Sequence, residues 1–359
     1  MITAYRHSGQ TFEKTVVSGT PNLAARDARA PAEQLPSHVA AEGADAIASM
    51  PADAVWIDLT SPSAAEIAAI ERVFAIEIPT REEMHEIEAS SRLYADHGAL
   101  FMTTPVLHRA ATDVPESGAA TFVLLPDRLI TVRFIDPLPF AAFSRRAERD
   151  PAIAATPQMI LLGILEGIAD RLADILELAA ADMERVSRDV FRAPARQTGK
   201  KRRGAETRHS GADLQNVLFR VARCGDIGTK ARDSLLGLSR LTLFLTAQAD
   251  LKKDTKLRLK TLTRDIASIT DHANFLGGKV NFLLDATLGL INIEQNAIIK
   301  IFTVAAVAFL PPTLIASIYG MNFEFMPELG WRFGYPFAIA LMVLSAVLPF
   351  WYFRRRGWL

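Results

Sequence analysis

Two apolar runs near the end of the sequence limit this chain more than any other feature. From Ala297 to Tyr319 it reads AIIKIFTVAAVAFLPPTLIASIY, with one charge near the start, and from Tyr335 to Phe353 it reads YPFAIALMVLSAVLPFWYF, with none. About 20 apolar residues in helix cross the hydrocarbon core of a bilayer. A core helix of a soluble protein is the alternative for one such run, but two adjacent runs of full spanning length argue against it. Two crossings return the chain to its starting side. Arg354, Arg355 and Arg356 follow the second run, Lys279 precedes the first and Lys300 opens it, while the loop between them holds Arg332 against Glu324 and Glu328. This excess of base on one side places both termini in the cytoplasm. The opening residues MITAYRHSGQTFEK contain no apolar core of secretory-signal type.

The remaining mass reads as cytoplasmic. Forty Lys and Arg balance forty Asp and Glu, which gives no global case for nucleic acid, and the single cysteine, Cys224, fits a reducing compartment. Residues 1–150 carry 21 acids against 13 bases, whereas Arg192 to Arg208 is strongly basic. Strand and helix signals mix up to about residue 155, the expected α/β domain. AVWIDL (Ala54–Leu59) is strand-like, Thr60-Ser61-Pro62 supplies a cap and a helix-opening proline for SAAEIAAIERVFAI, and TREEMHEIEA reads as a second helix. LYADHGALFMTTPVL and ATFVLLPDRLITVRF read as strands, the latter folding back at Pro126-Asp127.

From Pro157 the pattern turns helical. Residues 156–250 are expected to form an antiparallel hairpin, Pro157–Phe191 and about Ala212–Gln248, around a basic loop at 192–211. A longer helix then occupies 251–319 and continues into the first span at about 297–319. In it Leu262, Ile266, Ile269, Ala273, Leu276, Val280, Leu283, Thr287 and Leu290 recur at spacings of four and three. This heptad seam is expected to pack on copies of itself or on a partner, most economically in a ring of identical subunits.

Within the first span Asn296, Ile299, Thr303, Ala306, Leu310, Thr313 and Ser317 form a stripe smaller and more polar than the Phe, Leu, Ile and Val around it. Tight helix packing and a pore lining both explain such a stripe. The stripe starts at one Asn and runs towards a second, Asn322, in the loop YGMNFEFMPELGW. No imidazole or thiolate lies in or beside the spans, so soft metals find no ligands there. Oxygen from Gly320 and Asn322 suits a hydrated hard cation such as Mg2+, which sheds water reluctantly. Glu324 and Glu328 would concentrate cations at the mouth. No Walker-type motif is present, so transport runs down the gradient, and a divalent ion gains roughly 4.6 kcal/mol per 100 mV moving inward.

The residues YGMNFEFMPELGW, the second span and the tail RRRGWL closely resemble the CorA family of magnesium transporters, whose hallmark Gly-Met-Asn falls here on Gly320, Met321 and Asn322. The resemblance is near-continuous from about Asp285 to Leu359 and recurs more weakly over Val55–Tyr94. It implies a homopentameric funnel with a cytoplasmic α/β/α domain, a coiled-coil-like stalk, a periplasmic selectivity loop at 320–334, a second span at 335–353 and a basic cytoplasmic tail at 354–359. It implies a polar ring at Asn296, bulky gates at Phe302 and Leu310, and a polar pore position at Thr313. It also implies regulatory Mg2+ between subunits, held by Asp285 and an acid of the neighbouring domain that matches Glu83. A solvated acid is the plain alternative for Asp285. Phe302 departs from the family's aliphatic gate. The insert at Lys200, Lys201, Arg202 and Arg203 reads as a solvated loop or as a contact with anionic headgroups of the inner leaflet. His85, His97 and His108 have spacings that fit no single helical face, which argues against a zinc site. The leading reading is a passive Mg2+ influx channel, with Co2+ and Ni2+ as further cargo, no organic cofactor and no enzymatic activity. Its rivals are a zinc transporter of the ZntB kind and a membrane-anchored sensor whose spans only tether.

Overall fold

The computed structural model describes residues 1–18, 50–112, 114–191, 211–321 and 330–356, without side chains at 89 and 211–213. Its seven strands are β1 (Ile2–His7), β2 (Phe12–Ser18), β3 (Ala54–Thr60), β4 (Leu93–Asp96), β5 (Ala99–His108), β6 (Glu116–Leu124) and β7 (Leu129–Arg133). The helices are α1 (Ala64–Phe74), α2 (Ala89–Arg92), α3 (Leu138–Arg149), α4 (Pro157–Phe191), α5 (Gly211–Gln248), α6 (Lys253–Tyr319) and α7 (Gly334–Arg355). Two compact units emerge, Met1–Phe191 with Phe219–Phe282, and Arg192–Leu218 with Leu283–Leu359.

In the first unit the strands form one sheet in the order β2-β1-β3-β7-β6-β5-β4, in which β3 and β7 alone run parallel. The alternation of AVWIDLT decides which side chain faces which layer. Ile57 and Leu59 join Ile67 and Ile70 of α1 on one face. On the other, Trp56 meets Phe143 of α3 edge to face at 5.9 Å, and Phe122 stacks on Phe140 at 5.9 Å. The result is three layers with helix on both faces. Pro105 is tolerated in β5 because β4 pairs only with Ala99 to Met102, so the strand is an edge at the proline.

The same sheet buries an ion pair. Arg133 on β7 donates from Nε and Nη2 to the two carboxylate oxygens of Asp58 on β3, at 3.1 and 2.8 Å, and Thr131 donates to Asp58 Oδ1 at 2.7 Å. Both charged residues are under 7 % exposed, so each needs the other's charge in place of water.

Four sequence expectations need correction. The cap of α1 is Ser63: its hydroxyl accepts from Glu66 N–H while Glu66 accepts from Ser63 N–H, a reciprocal box that Thr60-Ser61-Pro62 cannot make from farther upstream. TREEMHEIEA yields a three-residue 3-10 turn, Glu83–His85, and then the four-residue α2. Among Arg81 to Glu88 only Met84 is buried, so no apolar face exists to hold a helix down. LYADHGALFMTTPVL is two strands, because His97 and Gly98 take φ of 48° and 80° and turn the chain into a hairpin. The fourth correction concerns the seam on α6. Leu262, Ile266, Ala273, Leu276 and Val280 are buried within the chain's own first unit, Leu283 and Thr287 are buried in the second, and Ile269 and Leu290 are half-buried.

That unit also contains α4 and, from Phe219 on, α5, which pair antiparallel. Arg220 of α5 pairs with Asp182 and Asp189 of α4, and Cys224 Sγ lies 3.7 Å from Ala179 O. The helix α5 also approaches the sheet, where a β-carbon on Gly237 would fall 2.7 Å from Pro105 Cδ.

Candidate ion-conduction site

Both apolar runs are helical, and both lie bare. Only 6 % of the most apolar window of α6, and 6 % of that of α7, is buried. Phe302, Phe309 and Leu310 are 68–74 % exposed. A water-soluble fold would cover such side chains, so these helices need lipid or further protein. The 22 residues of α7 give about 33 Å of helix, close to a bilayer's hydrocarbon thickness. Its ends carry aromatic groups of the kind that sit at headgroup level. Trp331 lies 6.2 Å from Phe333 and 6.0 Å from Phe337, while at the other end Arg355 sits over Trp351 at 4.4 Å and Arg356 over Tyr352 at 5.6 Å.

The second unit shields one face of each helix. On α6, Val304 is buried and Ala308, Pro311, Pro312, Ile315 and Tyr319 are half-buried; on α7, Ala338 is buried and Met342, Ser345 and Pro349 are half-buried. The stripe Asn296, Ile299, Thr303, Ala306, Leu310, Thr313 and Ser317 is exposed at every position. At 100° per residue its centre lies about 200° round the helix from the shielded face. Among the described residues of the second unit it faces away from the part of the chain that shields the helix.

The two threonine hydroxyls of that stripe have a fixed polarity. Thr303 Oγ1 donates to Ile299 O and Thr313 Oγ1 to Phe309 O, each at 2.8 Å. With the proton given to the backbone, each oxygen turns only lone pairs outward, which suits the water hydrogens around a cation. At the end of α6, Gly320 N–H bonds Ala316 O at 3.0 Å, and a β-carbon on Gly320 would come 3.1 Å from that same oxygen. A side chain at this position would crowd that carbonyl, so glycine fits the end of the helix.

Comparison with known proteins decides the family. The description "CorA-like Mg2+ transporter protein" matches residues 51–355. The chain belongs to this family. It is 37 % identical over 307 residues to the Magnesium transport protein CorA of Salmonella typhimurium, which covers 86 % of this chain and 92 % of that one. The same identity and coverage hold for the Magnesium transport protein CorA of Escherichia coli K12. The complete structure of the CorA magnesium transporter from Methanocaldococcus jannaschii superposes with a TM-score of 0.68 over 100 % of this chain and 99 % of that one, at 17 % identity. At that identity the likeness is one of fold.

Of the positions that the CorA resemblance singled out, Gly320 and Met321 close α6, and Asn322, Glu324 and Glu328 lie outside the described residues. The basic positions Lys200, Lys201, Arg202 and Arg203 also lie outside them. Phe302 is exposed beside the stripe, and Asp285 is exposed on α6. Glu83 already serves the local fold, since its carboxylate accepts from Thr80 N–H at 2.7 Å while its own N–H bonds Thr80 Oγ1 at 3.0 Å. It borders an acidic cleft of about 280 Å3 with Glu77, Glu86 and Asp96, three residues that sequence reading passed over. Tyr94 in that cleft is pushed up to about 12 by burial and by Glu83, Glu77 and Asp96. Among the described residues no three His, Cys, Asp or Glu are grouped to hold a metal within one chain. The histidines have separate partners: His85 bonds Arg81 O at 2.6 Å, His97 lies 2.8 Å from Asp96, and His108 is 3.7 Å from Glu116. Burial holds the His108 imidazole below its ordinary pKa.

Proposed function

We propose that this CorA-family chain is a passive Mg2+ influx channel of the inner membrane, with both termini cytoplasmic. Five copies surround an axis lined by the exposed stripe of α6. The observation that carries this reading is the position of that stripe, opposite the face the chain covers for itself and with its threonine oxygens presented as acceptors. The names of the relatives that match most of the chain support the choice of ion. In this arrangement Asn322, with Gly320 and Met321, holds the hydrated ion at the outer mouth, where Glu324 and Glu328 raise its local concentration. Asn296 forms the inner carboxamide ring. Ile299, Phe302, Ala306 and Leu310 form an apolar throat that closes by excluding water, and Thr313 and Ser317 line its outer half. Asp285 and Glu83 of a neighbouring subunit hold the regulatory Mg2+.

Flux into proteoliposomes, with Mg2+, Co2+, Ni2+ and Zn2+ in competition, tests the reading. Mg2+ uptake is expected to be lost in Asn322→Ala while native mass spectrometry still finds five subunits. Asp285→Ala is expected to keep uptake and lose its closure by internal Mg2+. A single subunit in mild detergent, or full uptake by Asn322→Ala, would overturn the channel. Zn2+ outcompeting Mg2+ would move the protein to the zinc branch.

A further inference from the structure

The last turn of α7 holds its bases against the usual direction. The helix reads GYPFAIALMVLSAVLPFWYFRR and contains no acid. A base that ends a membrane span ordinarily extends its side chain away from the hydrocarbon. Arg355 does the reverse, its guanidinium lying 4.4 Å over the indole of Trp351, one turn back towards the span. Arg356 folds back over Tyr352 likewise, at 5.6 Å, on the side nearer the shielded face. The negative C-terminal end of the helix dipole accounts for a base at these positions and does not account for the backward fold. Stacking uses one π-face of the Arg355 guanidinium and leaves its in-plane N–H groups, which meet no acceptor among the described residues.

The indole under Arg355 belongs to a ridge. Phe337, Leu341, Leu344, Leu348 and Trp351 precede Arg355 at alternating spacings of four and three, and all are exposed. At 100° per residue the ridge lies about 110° round the helix from the shielded side of Ala338, Met342, Ser345 and Pro349. From Leu341 to Trp351 is about 15 Å of helix, half of a roughly 30 Å hydrocarbon core and so the depth of one leaflet. An apolar track of leaflet depth thus ends under a cation whose planar donors are unused. That is the complement of a phosphate carried above acyl chains. With no acid on α7 to receive a choline or ethanolamine cation, a headgroup of net negative charge fits best.

We propose that this ridge docks an anionic phospholipid of the leaflet at the C-terminal end of α7, its phosphate gripped by Arg355 and its acyl chains laid along Leu348, Leu344 and Leu341. The inference rests on α7 spanning a membrane and is independent of conduction. Arg354 supplies the contrast. It carries the same charge one residue earlier, but lies about 100° round the helix from the ridge.

Native mass spectrometry of the full chain in a non-ionic detergent tests this with dioleoylphosphatidylglycerol, dioleoylphosphatidylcholine and glycerol 3-phosphate. The phosphatidylglycerol is expected to be retained about tenfold over the phosphatidylcholine, the effect of one charge-assisted hydrogen bond. An excess of glycerol 3-phosphate is expected to leave it in place, which separates a lipid from a free phosphate. Arg355→Gln and Trp351→Leu are each expected to remove the preference, and Arg354→Gln to keep it. Circular dichroism and thermal unfolding establish that the variants fold. Equal retention of the two lipids, displacement by glycerol 3-phosphate, or equal loss from Arg354→Gln and Arg355→Gln would each overturn the proposal. An altered subunit number in Arg355→Gln with lipid retention unchanged would place a second copy on the ridge, and would overturn it too. None of these outcomes depends on whether the protein conducts Mg2+.

Discussion

The helix α6 carries a seven-residue rhythm twice, and the two stretches end in opposite environments. The seam positions Leu262, Ile266, Ala273, Leu276 and Val280 are buried by the chain's own first unit, whereas the stripe positions Asn296, Ile299, Thr303, Ala306, Leu310, Thr313 and Ser317 are all exposed. The difference lies in composition. The first stretch is Leu, Ile, Ala and Val, which α4 and α5 of the same chain can cover. The second mixes Asn, Thr and Ser with Ile, Ala and Leu, and none of the described residues covers it. A heptad therefore reports that a helix needs a partner and leaves the partner's identity to composition. Only the exposed stretch calls for a ring of subunits.

The sharpest contrast lies between a charge the chain must neutralise itself and charges that solvent can reach. Asp58→Ala leaves Arg133 buried with only Asp136 as a carboxylate partner, and is expected to cost about 3–5 kcal/mol. The loss should appear as a lowered unfolding midpoint in denaturant. An unchanged midpoint would mean that water reaches Arg133, and that the first unit is less closed than its burial shows.

A matched pair of truncations tests the comparison directly. Leu276 is 1 % exposed and Leu310 is 68 % exposed, so the same side chain sits in the two environments. Leu276→Ala is expected to cost about 2–5 kcal/mol through lost burial and the cavity left behind. Leu310→Ala is expected to change the stability of a single chain by less than about 0.5 kcal/mol and to alter Mg2+ flux instead. Equal destabilisation by both would mean that the stripe packs inside a chain or against lipid, and the pore reading would fail.

The sequence was legible where periodicity was sustained. β3, the hairpin helices and the long helix follow from alternation or 3.6-residue spacing over many residues, and the structure has a strand at Ala54–Thr60 and helices at Pro157–Phe191, Gly211–Gln248 and Lys253–Tyr319. It was illegible where local chemistry lacked tertiary support. Arg81 to Glu88 consists of good helix formers, but with one buried side chain the helix has nothing to pack on. β1 and β2 escaped because ITAYRH and FEKTVVS are short and neither alternates, with Ile2 to Tyr5 buried on both faces and Glu13 to Val16 all exposed. The stripe was readable because one helix carries it. The acidic cleft was not, because it gathers residues from segments with no common period.

The smallest expected effect concerns acid. Glu66 is 9 % exposed, and burial alone would raise its pKa. Hydrogen bonds from the Ser18 hydroxyl and the Ser63 backbone, together with the charged Met1 amine 3.3 Å away, outweigh burial and hold the carboxyl below its ordinary value near 4.5. A group whose pKa is depressed on folding binds protons more readily in the unfolded chain. Its contribution is therefore complete above the unfolded value, and is lost as pH falls through the folded one. The α/β unit should lose a small part of its stability below about pH 4.5, and Glu66→Gln should remove that part of the slope while keeping the box on Ser63. Parallel slopes for the two proteins would mean that Glu66 is as well hydrated unfolded as it is bonded here. The first unit's self-sufficiency would then rest on its apolar core and the Asp58–Arg133 pair alone.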